Sequence, residues 1–395
     1  MSYYRAVGEL PPKRHTQFRQ PDGTLYYEEL MGLGGFADDS ALLYHENPPM
    51  SILRSERVDG PTAISRPNHP LLPRHYRTRQ LDGTGADAVL GRQALLANTD
   101  VRVSYFAADQ PSSLYRNAIG DECVFLASGS ATLETVFGRL SVRSGDYVVI
   151  PAATTHRWVP DAGEPLRALV IEALGSGHIH PPSRYLSPRG QFLEHAPYCE
   201  RDLRSPDEPL TVADEPADIL VRTRNGWTQL THGHHPFDVV GWDGGNYPYA
   251  LNIREFEPIT GRIHQPPPVH QVLEAPGAVI CAFVPRKFDY HPLSIPAPYS
   301  HANVDSDEVL FYVDGEFNSR KGSSIEAGSI SLHPSGFIHG PHPGAVEASL
   351  GKERTEEYAL MLDTFQPLEL CASADRCEDE SYAWSWARHR AGSTS

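Results

Sequence analysis

Short runs in which apolar and polar side chains alternate fill two long blocks of the chain. In the first block these runs are 101–106, 132–137 and 146–150, and a second block of the same texture extends from about 249 to 365. Alternation with a period of two residues predicts β-strands with one buried face. The 35 prolines and 32 glycines among 395 residues provide many turns between such strands. The pattern predicts an all-β protein.

The first hundred residues and the stretch 178–215 lack this periodicity and are rich in proline and polar residues. We expect the N-terminal hundred residues to form a loop-rich arm that caps a barrel, or to be partly disordered. A chain of 395 residues exceeds the usual size of one domain. We place the division after residue 235, which gives domains 1–235 and 236–395.

A set of six residues occurs once in each block: a glutamate, two glycines, a proline, a small residue and a histidine. The two copies are Glu122, Gly129, Gly145, Pro151, Ala153, His156 and Glu308, Gly315, Gly328, Pro334, Gly336, His339. The spacings within each half of the set are identical, which indicates a duplicated supersecondary unit. The spacing resembles the two motifs of the cupin superfamily, whose small jelly-roll barrels carry metals. The resemblance implies a bicupin, with two such barrels.

Three residues of the second block, His301, Glu308 and His339, have the types and spacing of a metal site. A lone histidine is seldom a ligand, so the joint spacing carries this prediction. Two neutral imidazoles and one carboxylate leave three positions open on an octahedral ion, as non-haem Fe(II) oxygenases require for substrate and O2. Zn(II) and Mn(II) accept the same ligands. The cupin pattern His-x-His would add a fourth ligand, but Asn303 stands at that position.

The first block keeps the glutamate and the histidine of the pattern, Glu122 and His156. Tyr115 and Asn117 stand where the paired histidines would be. We therefore expect the first barrel to be structural and free of metal.

The segment PFDVVGWDGGNYPYALN at 236–252 resembles the strongest signature of the homogentisate 1,2-dioxygenase family. Further matches follow in the same order at 298–303, 331–333 and 339–341 and in the closing tail 369–386. The resemblance implies that O2 opens the ring of a para-dihydroxylated aromatic acid, giving maleylacetoacetate from homogentisate in aromatic amino-acid catabolism. It also implies a homo-oligomer.

The same resemblance implies roles for individual residues. His301, Glu308 and His339 would hold Fe(II), His264 would hydrogen-bond the substrate hydroxyl and act as acid and base, and a second histidine near the iron maps onto His333. Proposed substrate contacts are His333, Tyr299, Asn303, Phe317, Arg320 and His342.

Two departures from the family pattern bear on the substrate. Where the family has Arg-Gly-His-Tyr-Glu-Ala-Lys, the chain has Asp-Gly-Glu-Phe-Asn-Ser-Arg at 314–320, and one additional residue separates His301 from Glu308. Phe317 thus replaces a tyrosine, and Arg320, Lys321 and Tyr299 become candidates to hold a carboxylate.

The alternatives are a gentisate-like or aminohydroxybenzoate-type substrate, a non-oxidative cupin such as an isomerase or binding module, and a degenerate structural bicupin.

Charge and cysteine content exclude some other functions. A formal net charge of −16 disfavours a nucleic-acid partner, because such proteins concentrate Lys and Arg. The N-terminus lacks the apolar core of a signal peptide, and no apolar run is long enough to span a bilayer. We expect a soluble cytoplasmic protein. Its five cysteines lack CxxC spacing and are expected to be reduced.

Overall fold

The computed structural model describes residues 3–83, 85–175, 177–264, 267–320 and 323–387. Within these residues the chain is almost entirely β-structure, with one short α-helix, α1, at Ala345–Ser349. No helix in the described ranges is long and apolar enough to cross a membrane. The predicted all-β class is confirmed.

The strands are numbered in chain order. They are β1 Arg5–Gly8, β2 Tyr27–Gly32, β3 Ser40–His45, β4 Ile52–Val58, β5 Ser65–Arg66, β6 Arg74–Arg77, β7 Gln93–Ala97, β8 Val101–Ala108, β9 Leu114–Asn117, β10 Glu122–Ser128, β11 Ser130–Thr135, β12 Gly138–Arg143, β13 Asp146–Ile150, β14 His156–Pro160, β15 Leu166–Ala173, β16 Leu203–Arg204, β17 Ala217–Thr223, β18 Gly226–His232, β19 Val239–Gly244, β20 Tyr249–Asn252, β21 Gln271–Ala275, β22 Ala278–Phe283, β23 Arg286–Lys287, β24 Asp307–Asp314, β25 Ser329–His333, β26 Arg354–Thr355, β27 Tyr358–Thr364 and β28 Glu369–Cys371. Short 3-10 turns occupy Gly34–Phe36, Thr78–Leu81, Ser183–Tyr185, Glu200–Asp202, Ile253–Glu255, Pro267–His270, Asn318–Arg320, Ala374–Arg376 and Tyr382–Trp384. Because β1 to β7 lie in the first hundred residues, this part is more regular than its sequence predicts.

The chain forms two compact units. The first consists of residues 1–62, 83–92 and 106–252, and the second of residues 63–82, 93–105 and 253–395. The strands β19 and β20 follow residue 235 and yet pair with β3 and β13 inside the first unit. The predicted domain division at 235/236 stays a proposal. The compact units differ from it because residues 236–252 belong to the first unit.

The first unit contains a two-sheet barrel. One sheet has the order β16-β20-β13-β10-β15, and the other has the order β12-β11-β14-β9-β17-β18-β4. In β12 the side chains alternate strictly between buried and exposed, as a strand with one face on a core requires. Buried apolar side chains of both sheets form one cluster, including Val124, Val148, Leu133, Val142 and Trp158. This arrangement is a jelly-roll barrel of the cupin type.

The second unit is built around a six-stranded sheet with the order β21-β22-β27-β24-β25-β6. Its central strand, β24, pairs in antiparallel fashion with β25 on one side and β27 on the other. The edge strand β6 comes from residues far earlier in the chain and pairs with β25. Apolar side chains of the sheet are fully buried, including Val309, Phe311, Ile330, Leu332 and Leu360.

The duplicated set of residues has the same backbone geometry in both units. At three matched positions the chain has a positive φ: 78° and 92° at Gly129 and Gly315, 89° and 88° at Gly145 and Gly328, and 64° and 75° at Ala153 and Gly336. The left-handed conformation favours glycine, so Ala153 is a strained counterpart of Gly336. The duplication predicted from spacing is therefore present in the backbone.

Candidate metal centre and active-site cavity

Three side chains of the second unit converge at one point. A short β-bridge joins His301 to His339, with backbone hydrogen bonds of 2.8 and 2.9 Å, and Glu308 lies at the start of β24. The Nε2 atoms of His301 and His339 are 3.6 and 3.3 Å from the carboxylate oxygens of Glu308. One possible ligand atom from each residue lies within 4.8 Å of the others. The structure brings the three predicted ligands together.

The negative charge of this cluster lies on the carboxylate of Glu308. Burial alone would raise the pKa of its carboxyl, but the imidazoles of His301, His333 and His339 outweigh burial and hold that pKa well below its usual range. The Nε2 of His339 is buried and makes no hydrogen bond, although it lies near the carboxylate. A buried nitrogen without a partner is costly. An ionised carboxylate and an unused nitrogen thus face the same small space.

His333 lies behind the carboxylate. Its Nδ1 is 2.8 Å from Oε1 of Glu308, and its Nε2 is 2.9 Å from the hydroxyl oxygen of Tyr382. The ring stacks on that of His339 with centroids 4.1 Å apart. Burial lowers the pKa of His333 to about 3, so the ring is neutral at physiological pH. His333 supports the cluster from outside and does not line the cavity.

A cavity of about 310 Å³ opens beside the cluster, and it is within the size range of small-molecule sites. Its walls are largely apolar and include Phe283, Phe288, Leu310, Ala359 and Met361. Six predicted site residues lie on its wall, namely His264, Tyr299, His301, Asn303, Glu308 and Arg320. The cavity therefore combines largely apolar walls with the polar side chains of the predicted site.

His264 is a partly buried imidazole on this wall. Its ring meets that of Tyr299 edge to face at 5.1 Å, and its Nδ1 is 4.0 Å from a carboxylate oxygen of Asp289. Burial lowers the pKa of His264 more than Asp289 raises it. The imidazole is consequently neutral at physiological pH and able to accept a proton.

Arg320 is a buried cation with polar but uncharged partners. Its Nε donates to the hydroxyl of Tyr312 at 2.9 Å, its Nη1 donates to the carbonyl of Gly340 at 2.7 Å, and the guanidinium lies over the ring of Trp386. Within the described ranges no carboxylate forms an ion pair with it. Arg320 thus presents a buried positive charge to the cavity without a direct ion pair in the described ranges, and the negative charge of Glu308 helps to stabilise it.

Comparison with known proteins assigns the chain to a family. Residues 78–253 match the model described as homogentisate 1,2-dioxygenase N-terminal. A protein named "Putative dioxygenase" from Saccharolobus solfataricus is 40% identical over 98% of this chain and 99% of its own length. A homogentisate 1,2-dioxygenase from Bradyrhizobium diazoefficiens is 27% identical over 96% of this chain and 90% of its own. The chain belongs to the homogentisate 1,2-dioxygenase family.

Among solved structures, a cupin 2 conserved barrel domain protein from Leptotrichia buccalis matches 74% of this chain and 96% of its own, with 10% identity and a TM-score of 0.32. Membership of the homogentisate 1,2-dioxygenase family assigns an oxygenase reaction that uses a small molecule and O2 and opens a ring. The family is generally metal-dependent, and the cluster of His301, Glu308 and His339 offers a site for a metal.

Three predicted substrate contacts lie away from the cavity: His333, described above, Phe317 and His342. Phe317 packs against the ring of Tyr312, with centroids 4.9 Å apart. His342 stacks on Trp386 at 4.4 Å, and its Nε2 is 2.8 Å from the hydroxyl oxygen of Ser385. Neither side chain is on the cavity wall. Lys321, a further candidate for a carboxylate, lies outside the described residues.

Among the polar residues of the cavity that escaped the sequence analysis are His270, Arg286, Glu357 and Asp363. Burial lowers the pKa of His270 to about 3 and raises that of Asp363 to about 7. The guanidinium of Arg286 is 3.8 Å from Glu357. These residues belong to no motif with a recognisable spacing. Asp363 could have been sought on β27, because this strand pairs with β24 at Glu308, on the side away from His333.

Proposed function

We propose that the protein is an Fe(II)-dependent ring-cleaving dioxygenase that acts on a para-dihydroxylated aromatic acid. Homogentisate, opened to maleylacetoacetate, is the first candidate. One observation carries the proposal: His301, Glu308 and His339 converge where two of them line a cavity that accommodates a single aromatic ring. The family indicates the class of reaction, and we propose that the reaction takes place in the cavity beside these three side chains.

The donor set fits a ferrous ion. Two imidazole nitrogens and one carboxylate leave three positions open for substrate and O2. Glu308 is already ionised, and the Nε2 of His339 has no hydrogen bond to give up. Fe(II) held there by His301, Glu308 and His339 would acidify a coordinated phenol and activate O2. Zn(II) and Mn(II) suit the same ligands, but Zn(II) lacks the redox chemistry that a dioxygenase needs.

We assign to His264 the transfer of the phenol proton. It lies on the same cavity wall as His301 and Glu308, and burial keeps its imidazole neutral. It would accept the proton of the phenol oxygen and return a proton later in the reaction. The carboxylate of Asp289, 4.0 Å from Nδ1, would stabilise the imidazolium in the interval.

Arg320 is the proposed partner for the acid group of the substrate. Its guanidinium lines the cavity without a direct ion pair in the described ranges, and it would pair with the carboxylate of a bound acid. Tyr299 and Asn303 stay proposed substrate contacts, since both line the cavity. We assign no substrate contact to His333, Phe317 or His342, because their side chains have other partners.

A gentisate-like or aminohydroxybenzoate-type acid is the second candidate substrate. The chain is 40% identical to the dioxygenase-named relative but 27% identical to a named homogentisate 1,2-dioxygenase. The chemistry would be the same. A binding module is disfavoured by His264, because simple binding needs no proton acceptor on that wall. A non-oxidative isomerase would consume no O2 and is therefore distinguished by the test below.

The test is O2 uptake after anaerobic reconstitution with Fe(II), measured separately with homogentisate, gentisate and 5-hydroxyanthranilate. We expect uptake with at least one acid. Glu308→Ala should lose both iron and uptake, whereas His264→Ala should keep iron and lose roughly 100-fold in turnover. His15→Ala, at a histidine whose side chain is 89% exposed, is the matched control.

The absence of uptake by iron-loaded protein with all three acids would contradict the dioxygenase proposal. Equal loss of iron in Glu308→Ala and His264→Ala would make His264 a ligand and contradict its role as a proton acceptor.

A further inference from the structure

We infer that the C-terminal tail, residues 372–387, holds the metal centre in shape through Tyr382, which acts as a positioning residue for Glu308. The inference rests on the metal site of the proposed function. It is carried by a chain of buried hydrogen bonds from Tyr382 through His333 to Glu308, and by the contacts that fix the tail.

The hydrogen-bond chain fixes which nitrogen of His333 carries the proton. The ionised carboxylate of Glu308 can only accept, so the Nδ1 that faces it must donate. In a neutral imidazole the other nitrogen is then an acceptor, and the hydroxyl of Tyr382 donates to Nε2. His333 is 0% and Tyr382 1% exposed, so bulk water does not reach this contact.

The fixed tautomer in turn orients the carboxylate. With Oε1 of Glu308 bonded to His333, Oε2 is the oxygen nearest His301. Without the hydroxyl of Tyr382, the buried Nε2 of His333 would have lost its hydrogen-bond partner, and the ring would keep only one of the two contacts that fix its orientation. The ring would then be free to turn, and Oε1 of Glu308, which accepts from Nδ1, would turn with it. Outer hydrogen bonds of this kind commonly govern metal affinity.

The tail is anchored so that Tyr382 has little freedom. Arg74 and Arg77 of β6 form ion pairs with Glu378 and Asp379 of the tail, at 2.8 and 2.9 Å. Strand β6 pairs with β25, the strand that ends at His333. The tyrosine and the histidine are therefore held by the same edge of the sheet.

The first unit has no such device at the matched position. There Ile150 lies opposite Glu122, as His333 lies opposite Glu308. The chain of hydrogen bonds thus leads to Glu308, the glutamate that is proposed to bind metal. Glu122, its counterpart in the repeat, has Ile150 at the position of His333.

The experiment compares Tyr382→Phe with Tyr105→Phe by titration with Co(II) and with Fe(II), together with thermal unfolding of the metal-free proteins. Tyr105 lies in the same unit, is 1% exposed and donates a 2.8 Å hydrogen bond to Asp82, away from the cluster. Tyr382→Phe should weaken binding of both ions by about 10- to 100-fold and alter the Co(II) absorption spectrum. Tyr105→Phe should lower the melting temperature comparably and leave affinity and spectrum unchanged.

Wild-type affinity and spectrum in Tyr382→Phe would overturn the inference, as would equal weakening by Tyr105→Phe, since the effect would then be a general loss of stability. Failure of the proposed reaction is distinguishable: the wild type would bind the ions and consume no O2 with any of the three acids. If the wild type binds neither ion, both proposals fall.

Discussion

The glutamate of the repeat is buried in both units, but its partners differ in kind. In the first unit Arg92 donates two hydrogen bonds to the carboxylate of Glu122, at 2.7 and 2.9 Å, and Asn117 donates a third. In the second unit the groups around Glu308 are imidazoles. A guanidinium brings its own charge and covers both oxygens. Imidazoles, unlike a guanidinium, can lose their proton and then leave the negative charge available to a metal ion.

The histidine of the repeat is equivalent in the two units, and its neighbour is not. The Nε2 atoms of His156 and His339 are both buried without a hydrogen bond. Tyr115 lies 5.4 Å from His156 between ring centroids, in the place where His301 lies 4.3 Å from His339. The first unit has Tyr115 in place of an imidazole and adds the guanidinium of Arg92, and its glutamate forms an internal ion pair. The second unit keeps both imidazoles, and its glutamate belongs to a candidate metal centre.

The largest expected effect is on the stability of the first unit. Arg92→Met should lower the free energy of unfolding by about 3–5 kcal/mol, because it leaves Glu122 buried without a counter-charge. Urea unfolding measures this loss. The control is Arg139→Met, which removes an arginine with a 62% exposed side chain paired to Glu134 and should change stability by less than about 1 kcal/mol. A loss in Arg92→Met no larger than the control would break the comparison.

A smaller effect concerns acid stability. Burial raises the pKa of Glu122, but Arg92 overrides it and brings that pKa to about 2. The stability from this group is complete above the unfolded pKa of about 4.3 and is lost as pH falls toward 2. Unfolding free energies between pH 5 and 2.5 should therefore fall about 2–3 kcal/mol less in Arg92→Met/Glu122→Gln than in the wild type. Parallel curves for the two proteins would contradict the assignment.

The smallest effect on stability is expected for the buried arginine of the second unit. Arg320→Met should change the free energy of unfolding by at most about 1 kcal/mol, since Gly340 still accepts from Trp386 and Tyr312 still contacts Ser331. The KM for homogentisate should rise on the order of 100-fold. Hydroquinone, which lacks the carboxylate, serves as control and should react equally with both proteins. A similar loss for hydroquinone would show that Arg320 has no role in acid recognition.

The sequence was sufficient to predict the parts of the fold and site that depend on local spacing. Glu308 and His339 could be predicted together because both belong to a repeat with fixed distances between glutamate, glycine, proline and histidine, and His301 followed from the resemblance of that repeat to the cupin motifs. The turn glycines Gly145 and Gly328 carry the same information, since their left-handed backbone admits few other residues.

The remaining features depend on contacts between distant residues. Arg92 meets Glu122 across 30 positions and Tyr382 meets His333 across 49, and neither pair belongs to a motif. Phe317 lies in a segment that aligns with substrate contacts of the family, but its side chain packs on Tyr312. The spacing of residues along the sequence does not predict such a side-chain contact.

The position of β6 has a consequence for the order in which the protein is made. Residues 74–77 leave the ribosome long before β25, the strand that they flank, and the tail that they anchor is synthesised later still. The second unit is thus assembled from segments that lie far apart in the polypeptide. We expect a fragment that starts at residue 236 to lack the edge of its sheet, and the nascent chain to form the candidate metal centre only after residue 382 has been synthesised.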